Sequence, residues 1–410
     1  MLTTSSDGNN AVVVALENVR KHPNADRVQL ATVVGDQVVV GLGAKDGDVM
    51  VYFSSNLVLS PGYLSANNLY SNPEMNVDET KKGYFGKSGR VRAQRFRGEM
   101  SHGFVAGLET LVICGAINFY DELELQPGEE FTHINGMQIC EKYIVPVKSH
   151  GTIGSGKKVK KPVSDMFWKH WDTKHLLREK NRIPNGIVYI EEKIHGTSAR
   201  TANVLFKSQR PWWKFWAPKV TEEWRVVSGT RRVDNIAHHA SGARGEIEKK
   251  IAPHLRKGEQ AYYEIFGHDT TGKEIQSGFS YGCSGGKYRV ILYRVTITTP
   301  DGYCVDLPRE AVYRRADELG LERPPLLGVG HYINDCIVDL FDSETWFLED
   351  FKQLAEGKST LDANTIREGI VVWFMTDEGN WSCLKLKSEE FLLKEDKQRE
   401  KGIGDIEDSQ

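Results

Sequence analysis

The string Glu191-Glu192-Lys193-Ile194-His195-Gly196-Thr197-Ser198 carries the sharpest chemical signal in the chain. A lysine directly after an apolar run and before a glycine-containing turn places one ammonium at the mouth of a sheet. Burial and neighbouring cations can strip the proton from such a lysine and leave a nucleophilic amine. The same string also fits a surface lysine at a strand end. A second cluster crowds Lys81, Lys82, Lys87, Arg90, Arg92, Arg95 and Arg97 around Tyr84, Phe85 and Phe96. Cations for phosphates and aromatics for bases suit a surface that tracks a nucleic-acid strand; a solvated basic face has the same composition. Pro211-Trp212-Trp213-Lys214-Phe215-Trp216-Ala217-Pro218 reads as a protruding hairpin or loop. It could stack on RNA, dock on a protein or pack against its own domain. His238-His239 has no third ligand at sensible spacing, so it reads as a helix face and not a zinc site.

The elements that must position these residues fall into two halves. Short strands over residues 12–16, 28–34, 38–40, 49–53, 90–96 and 139–145 favour a small barrel or sandwich, with a tight turn at Gly35-Asp36. Ser149-His150-Gly151-Thr152-Ile153-Gly154-Ser155-Gly156 is followed by Lys157, Lys158, Lys160 and Lys161 and reads as a linker; those lysines could also extend the basic track. Beyond it, strands over 186–192, 199–206, 223–228, 260–266, 288–297, 369–374 and 381–387 mix with helices over 245–252 and 309–319. The expected class is α+β, built on antiparallel sheets flanked by helices. The expected division is 1–148, a linker over 149–164, a catalytic domain over 165–394 and a fraying charged tail over 395–410.

Composition narrows the partners. Across 410 residues, 53 Lys+Arg against 56 Asp+Glu leave a formal charge of −3, so nucleic-acid binding must rest on local clusters. No apolar run reaches the roughly 20 residues that span a bilayer, and the opening MLTTSSDGNN shows no secretory signal. Cys114, Cys140, Cys283, Cys304, Cys336 and Cys383 form no CxxC pair. Free thiols in a reducing, cytoplasmic setting are expected.

Read in order, the second half resembles the covalent nucleotidyltransferases, the superfamily of polynucleotide ligases and capping enzymes. Lys193-Ile194-His195-Gly196 resembles motif I, which implies that Lys193 becomes linked to AMP. Ser228-Gly229-Thr230-Arg231 lies where motif Ia belongs, and Tyr262-Tyr263-Glu264-Ile265-Phe266-Gly267 resembles motif III. Ile291-Leu292-Tyr293-Arg294-Val295 occupies the place of motif IIIa, which implies that Tyr293 stacks on the nucleobase. Arg367-Glu368-Gly369-Ile370-Val371-Val372 and Leu384-Lys385-Leu386-Lys387 are similar to motifs IV and V. The resemblance implies a nucleotide site made of Glu192, His195, Gly196, Arg231, Glu264, Tyr293 and Glu368, with Lys193, Lys385 and Lys387 catalytic. Charge develops on phosphoryl oxygens and on departing pyrophosphate, so cations must stand ready there. Lys385 and Lys387 share a strand face by the two-residue period. Glu264 and Glu368 can hold a hydrated Mg2+ or Mn2+; a surface ion pair with Arg367 is their plainer use.

His195 stands where DNA ligases and capping enzymes usually carry aspartate, and the Lys-x-His-Gly-Thr form resembles RNA ligases. Only Ser388 to Gln410 follow motif V, too short for a C-terminal OB-fold. The extra module is N-terminal. Lys21-His22-Pro23-Asn24-Ala25-Asp26-Arg27-Val28 resembles the opening of OB-type tRNA-binding modules. Gly89-Arg90-Val91-Arg92-Ala93-Gln94-Arg95-Phe96-Arg97-Gly98-Glu99-Met100-Ser101-His102-Gly103 resembles the N-terminal OB region of the fifth RNA ligase family. The resemblance implies an OB-like β-barrel ahead of an adenylyltransferase domain. It implies ATP with Mg2+ or Mn2+, and RNA with 3′-OH and 5′-phosphate ends, in a nicked duplex, gripped by Arg90, Arg92, Arg95 and Arg97. A monomer with no membrane partner is expected. A DNA ligase and a non-catalytic RNA-binding protein with a degenerate transferase domain are the competing readings.

Overall fold

The computed structural model describes residues 1–5, 8–117, 125–144, 164–209, 220–231, 234, 242–333, 336–340 and 345–403. Internal contacts divide the chain into Met1–Val145 with Leu392–Glu400, and Pro146–Phe391 with Lys401–Gln410. The expected linker lies almost wholly outside the described residues, with Lys157, Lys158, Lys160 and Lys161. So do the Pro211 to Pro218 segment and the His238-His239 pair.

In the first unit, Val28–Val33 and Asp36–Gly41 form a hairpin. Its turn is Val34-Gly35, one residue earlier than expected, with φ of 44° and 83°. Two successive positive φ values match the twist of the flanking strands. A second sheet runs Gly103–Gly107, Val49–Ser54, Ala11–Ala15, Glu130–Phe131. Val13 enters one apolar cluster and Val14 another, so that strand is buried on both faces. This is why it reads as a continuous apolar run without alternation. Among the described residues the sheets are open, and several strands are only two residues long, such as Leu2–Thr3 and His133–Ile134.

Two expectations change here. Residues 90–96 are not one strand: Gln94–Phe96 pairs with Glu99–Ser101, and Arg90 makes only an isolated bridge to Val58. The charged tail does not begin at 395, because Glu389–Glu400 is a helix. Glu395, Asp396 and Arg399 on it are buried. Its charges are neutralised in pairs, which lets a charge-dense segment pack.

The second unit is α+β on two sheets, antiparallel except where Lys174–His175 pairs parallel with Trp381–Lys387. One orders Val220–Thr230, Thr197–Gln209, Glu259–Gly267, Tyr288–Thr298 and Cys304–Asp306. Gly242–Ile251 and Arg309–Leu319 are helices, and Ile247, Ile251, Val312, Ala316 and Leu319 join that sheet's core. The other sheet orders Lys174–His175, Trp381–Lys387, Gly369–Met375, Gly186–Lys193, Leu326–Ile333, Cys336–Asp339 and Thr345–Phe347. Its core face carries Val188, Ile190, Ile370, Val372, Leu384 and Leu386. The opposite face is left to the residues between them, and those are the ones with chemistry.

Candidate active site

Strand register builds the site. Lys193 pairs with Gly369, and Gly369 with Lys387; one step back, Glu191 pairs with Val371, and Val371 with Lys385. Paired residues point to the same side of a sheet. Lys193, Lys385, Lys387 and Glu191 therefore stand on one face, drawn from two strands nearly 200 residues apart in sequence and joined by the Gly369–Met375 strand between them. Gly369 sits between two of the lysines because nothing larger fits. A Cβ there would meet the carbonyl oxygen of Leu386 at 2.0 Å.

Glu368, at the start of the middle strand, is buried and accepts a hydrogen bond from Lys193 Nζ at 2.9 Å. His195 Nδ1 lies 3.7 Å from the same carboxylate. Burial would raise the Glu368 pKa, but the charges of Lys193, His195 and Lys387 prevail and hold it below the usual carboxylate range. The Lys385 pKa is lowered to about 7. Burial is the main cause, and Lys387, Lys193 and Arg231 add repulsion against the partial relief of Glu368. Lys387 Nζ rests 4.9 Å above the Phe391 ring. Arg231 is anchored to Asp172 at 2.7 Å.

The turn after Lys193 is fixed by packing. His195 donates its N–H to Tyr281 Oη at 2.8 Å, and its ring meets Phe279 and Phe391 edge-on at 4.8 and 4.9 Å. A Cβ on Gly196 would stand 2.3 Å from the Ile265 carbonyl oxygen and 3.0 Å from Glu264 Cγ. The glycine thus lets the turn press against the strand that carries Glu264. Glu264 and Glu368 both raise the pKa of the buried Tyr281 phenol, behind the larger effect of burial. Tyr293 packs beside this face, with its hydroxyl 2.7 Å from Ser198 Oγ.

Glu192 departs from its expected place. It turns to the other side of its strand, where Thr360 donates N–H and Oγ1–H to it at 2.8 and 2.7 Å. The carboxylate on the lysine face is Glu191, which is buried with Arg309 and takes the Tyr313 hydroxyl at 2.6 Å. Arg309 also donates to the Tyr293 carbonyl at 2.7 Å, tying the lysine strand to the strand of Tyr293. Strand parity counted from Lys193 selects Glu191 over Glu192, and that signal was present in the sequence. Tyr281 and His170 left no comparable signal, because neither lies in a periodic segment.

The donor set suits a particular kind of cation site. Among the described residues no group of three or more His, Cys, Asp or Glu side chains assembles as a metal cage. Two carboxylates, one already engaged by Lys193, fit an ion that keeps most of its waters and completes its shell with phosphate oxygens, as Mg2+ does.

In the first unit, the two quoted N-terminal strings interlock. His22 Nε2 lies 3.0 Å from the Phe96 carbonyl, and Asn24 Nδ2 donates to the Arg97 carbonyl at 2.9 Å. The Gln94–Phe96 and Glu99–Ser101 hairpin turns at Arg97-Gly98, carrying Arg95 and Arg97 with Phe96 exposed. Arg90 is not on this surface. It is buried, ion-paired with Asp396 and stacked 4.5 Å from the Tyr143 ring, so its guanidinium is spent inside the unit. Arg92 pairs with Glu400 at 2.5 Å while staying partly exposed.

No protein-family model matches the sequence, and no curated protein matches it. Solved structures do. A mutant of Naegleria gruberi RNA ligase with AMP and Mn is similar over 94% of this chain and 98% of that one, at 16% identity and a TM-score of 0.57. Another mutant of that ligase, with ATP and Mn, gives the same coverage and identity with a TM-score of 0.59. The ligase with PPi covers 94% of this chain and 98% of its own at 17% identity, with a TM-score of 0.57. This chain has the fold of those structures.

Proposed function

We propose that the chain is an ATP-dependent RNA ligase that joins 3′-OH and 5′-phosphate ends through a lysyl-AMP intermediate. The observation that carries this reading is the single sheet face on which Lys193, Lys385 and Lys387 stand in register beside Glu368. Similar folds solved with ATP, AMP or PPi support it.

Lys193 Nζ attacks the α-phosphorus of ATP, forming the phosphoramide bond as the bond to pyrophosphate breaks. Lys385 and Lys387, with Arg231, face the oxygens on which charge grows, and preorganised cations of this kind are worth several kcal/mol to phosphoryl transfer. Tyr293 offers its ring to the adenine. Before attack, Nζ must release the proton it shares with Glu368. A divalent cation near Glu264 and Glu368 would supply local positive charge that favours this release. AMP then passes to the RNA 5′-phosphate, and a 3′-hydroxyl displaces it to form the phosphodiester.

The first unit serves as an OB-like module gripping the strand that ends in the 3′-hydroxyl, through Arg95, Arg97 and the partly engaged Arg92. A nicked duplex is the substrate, and a cytoplasmic monomer is the acting form. Incubation with α-labelled ATP, followed by denaturing electrophoresis, tests the first step. Wild type should take the label, and Lys193→Ala should take none. Label retained by Lys193→Ala removes the assignment. Nicks carrying RNA or DNA at the 3′-hydroxyl separate RNA ligase from DNA ligase, and a GTP lane exposes a capping-type activity.

A further inference from the structure

An aromatic box adjoins the lysine face, and the mechanism above leaves its central member unused. The His170 ring lies 4.8 Å from Trp171, 5.9 Å from Tyr262 and 5.3 Å from Tyr293, the last at 72°. Its Nδ1 stands 3.4 Å from Nη1 of Arg294. A guanidinium only donates, so Nδ1 accepts and the proton of the neutral ring belongs on Nε2. Arg294 is clamped in turn. Asp306 takes its Nε at 2.5 Å and its Nη2 at 3.0 Å, and the Trp171 ring lies 3.6 Å from its Cζ. The tautomer is thus dictated by a fixed chain that runs from Asp306 through Arg294 to His170.

The charge state is dictated as well. Burial, then the charges of Arg294, Arg231, Lys385 and Lys193, push the imidazole well below its ordinary 6.5. A neutral ring in that field cannot compensate phosphate charge, a task the lysines already perform. What it presents is one N–H donor of fixed tautomer next to Tyr293, whose own hydroxyl is held by Ser198. A flat ring and a neighbouring fixed donor are the two requirements for reading a purine edge. Adenine carries unprotonated ring nitrogens at N1, N3 and N7, whereas guanine is protonated at N1.

We propose that His170 is a base-binding residue that donates from Nε2 to a ring nitrogen of the ATP base, a contact that selects adenine over guanine when the acceptor is N1. This rests on the ligase reading and on Tyr293 as the base-stacking residue. Self-labelling by ATP, 1-deaza-ATP, 3-deaza-ATP and 7-deaza-ATP tests it, each analogue lacking one ring acceptor. Wild type should lose about tenfold in labelling efficiency with one of the three analogues, the usual worth of one hydrogen bond. His170→Ala should lower labelling by ATP by a similar factor and treat that analogue and ATP alike. His170→Gln, which keeps an amide donor near the position of Nε2, should recover part of the discrimination. Thermal melting establishes which variants fold, and the glutamine variant carries the comparison if the alanine variant does not.

Equal use of all four nucleotides by wild type overturns the inference and leaves the ligase reading standing. So does an alanine variant that weakens all four equally while keeping the discrimination. A wild type that takes label from no nucleotide removes both.

Discussion

Lys385 shows how a single ammonium can set a pH dependence. Its pKa of about 7 reflects burial and three neighbouring cations. In the free protein its charge is therefore present below pH 7 and lost above. Phosphate oxygens restore the charge, so nucleotide or pyrophosphate binding above pH 7 must take up a proton. Affinity for pyrophosphate, measured by calorimetry from pH 6 to 9, should be highest at the acid end. It should fall by up to about tenfold per unit above 7, the limit for one linked proton. Lys385→Arg, charged throughout, should flatten the profile; an unchanged slope would assign the proton to another group. The same depression bears on stability with the opposite sign. The unfolded chain holds this proton up to its ordinary 10.5, so folding becomes more favourable as pH rises from 7 toward that value. Lys385→Met should accordingly raise the melting temperature near pH 6.5 while abolishing catalysis. At Gly369 the constraint is steric. Gly369→Ala sets a Cβ 2.0 Å from the Leu386 carbonyl oxygen, so the strand pair must part. Lost label transfer and a lower melting temperature are both expected.

Elements show where the sequence could be read and where physical circumstances hid the answer. The strands expected over 186–192, 369–374 and 381–387 were legible, the first two as continuous apolar runs and the last because Leu384 and Leu386 alternate with Lys385 and Lys387. The Leu326–Ile333 strand was not, since Gly328 and Gly330 interrupt its pattern. Those glycines make room for Ile337 from the next strand and Trp346 from the strand beyond it, which only the folded sheet brings near. Residues 395–400 read as part of a fraying tail because the Glu389–Glu400 helix buries charges where sequence reasoning expects apolar groups. Arg90 was taken for a phosphate ligand for the mirror-image reason: its partner Asp396 lies 306 residues away. Side chains of the pair are only 4% and 9% exposed. Breaking such a pair strands a buried charge and costs about 3–5 kcal/mol. Asp396→Ala should therefore lower the melting temperature by many degrees. Arg90→Met with Asp396→Leu should restore much of that loss, because no lone charge is left behind. Asp396→Ala that melts like wild type would mean the pair contributes nothing.

At the scale of the whole molecule, a net charge of −3 gives no general attraction to a polyanion, so the RNA contact of the proposed function must rest on a local cluster. The hairpin that ends in Arg97-Gly98 is the place the first unit offers, with Arg95, Phe96 and Arg97 on it. Every group assigned to lysyl-AMP formation belongs to the second unit. The two steps should therefore respond to different substitutions. Replacing Arg95, Phe96 and Arg97 with alanine together should leave label transfer from ATP at the wild-type rate. Sealing of a nicked RNA should fall by about tenfold or more at moderate salt, since each aromatic stack or phosphate contact carries about 1–3 kcal/mol or about one unit of salt slope. Lowering the ionic strength should recover part of the loss, and the slope of log affinity against log salt should drop by about two, one for each arginine removed. Proportional loss of both labelling and sealing would mean that the hairpin supports the fold and does not hold the strand. Sealing that survives unchanged would move the RNA track elsewhere on the first unit.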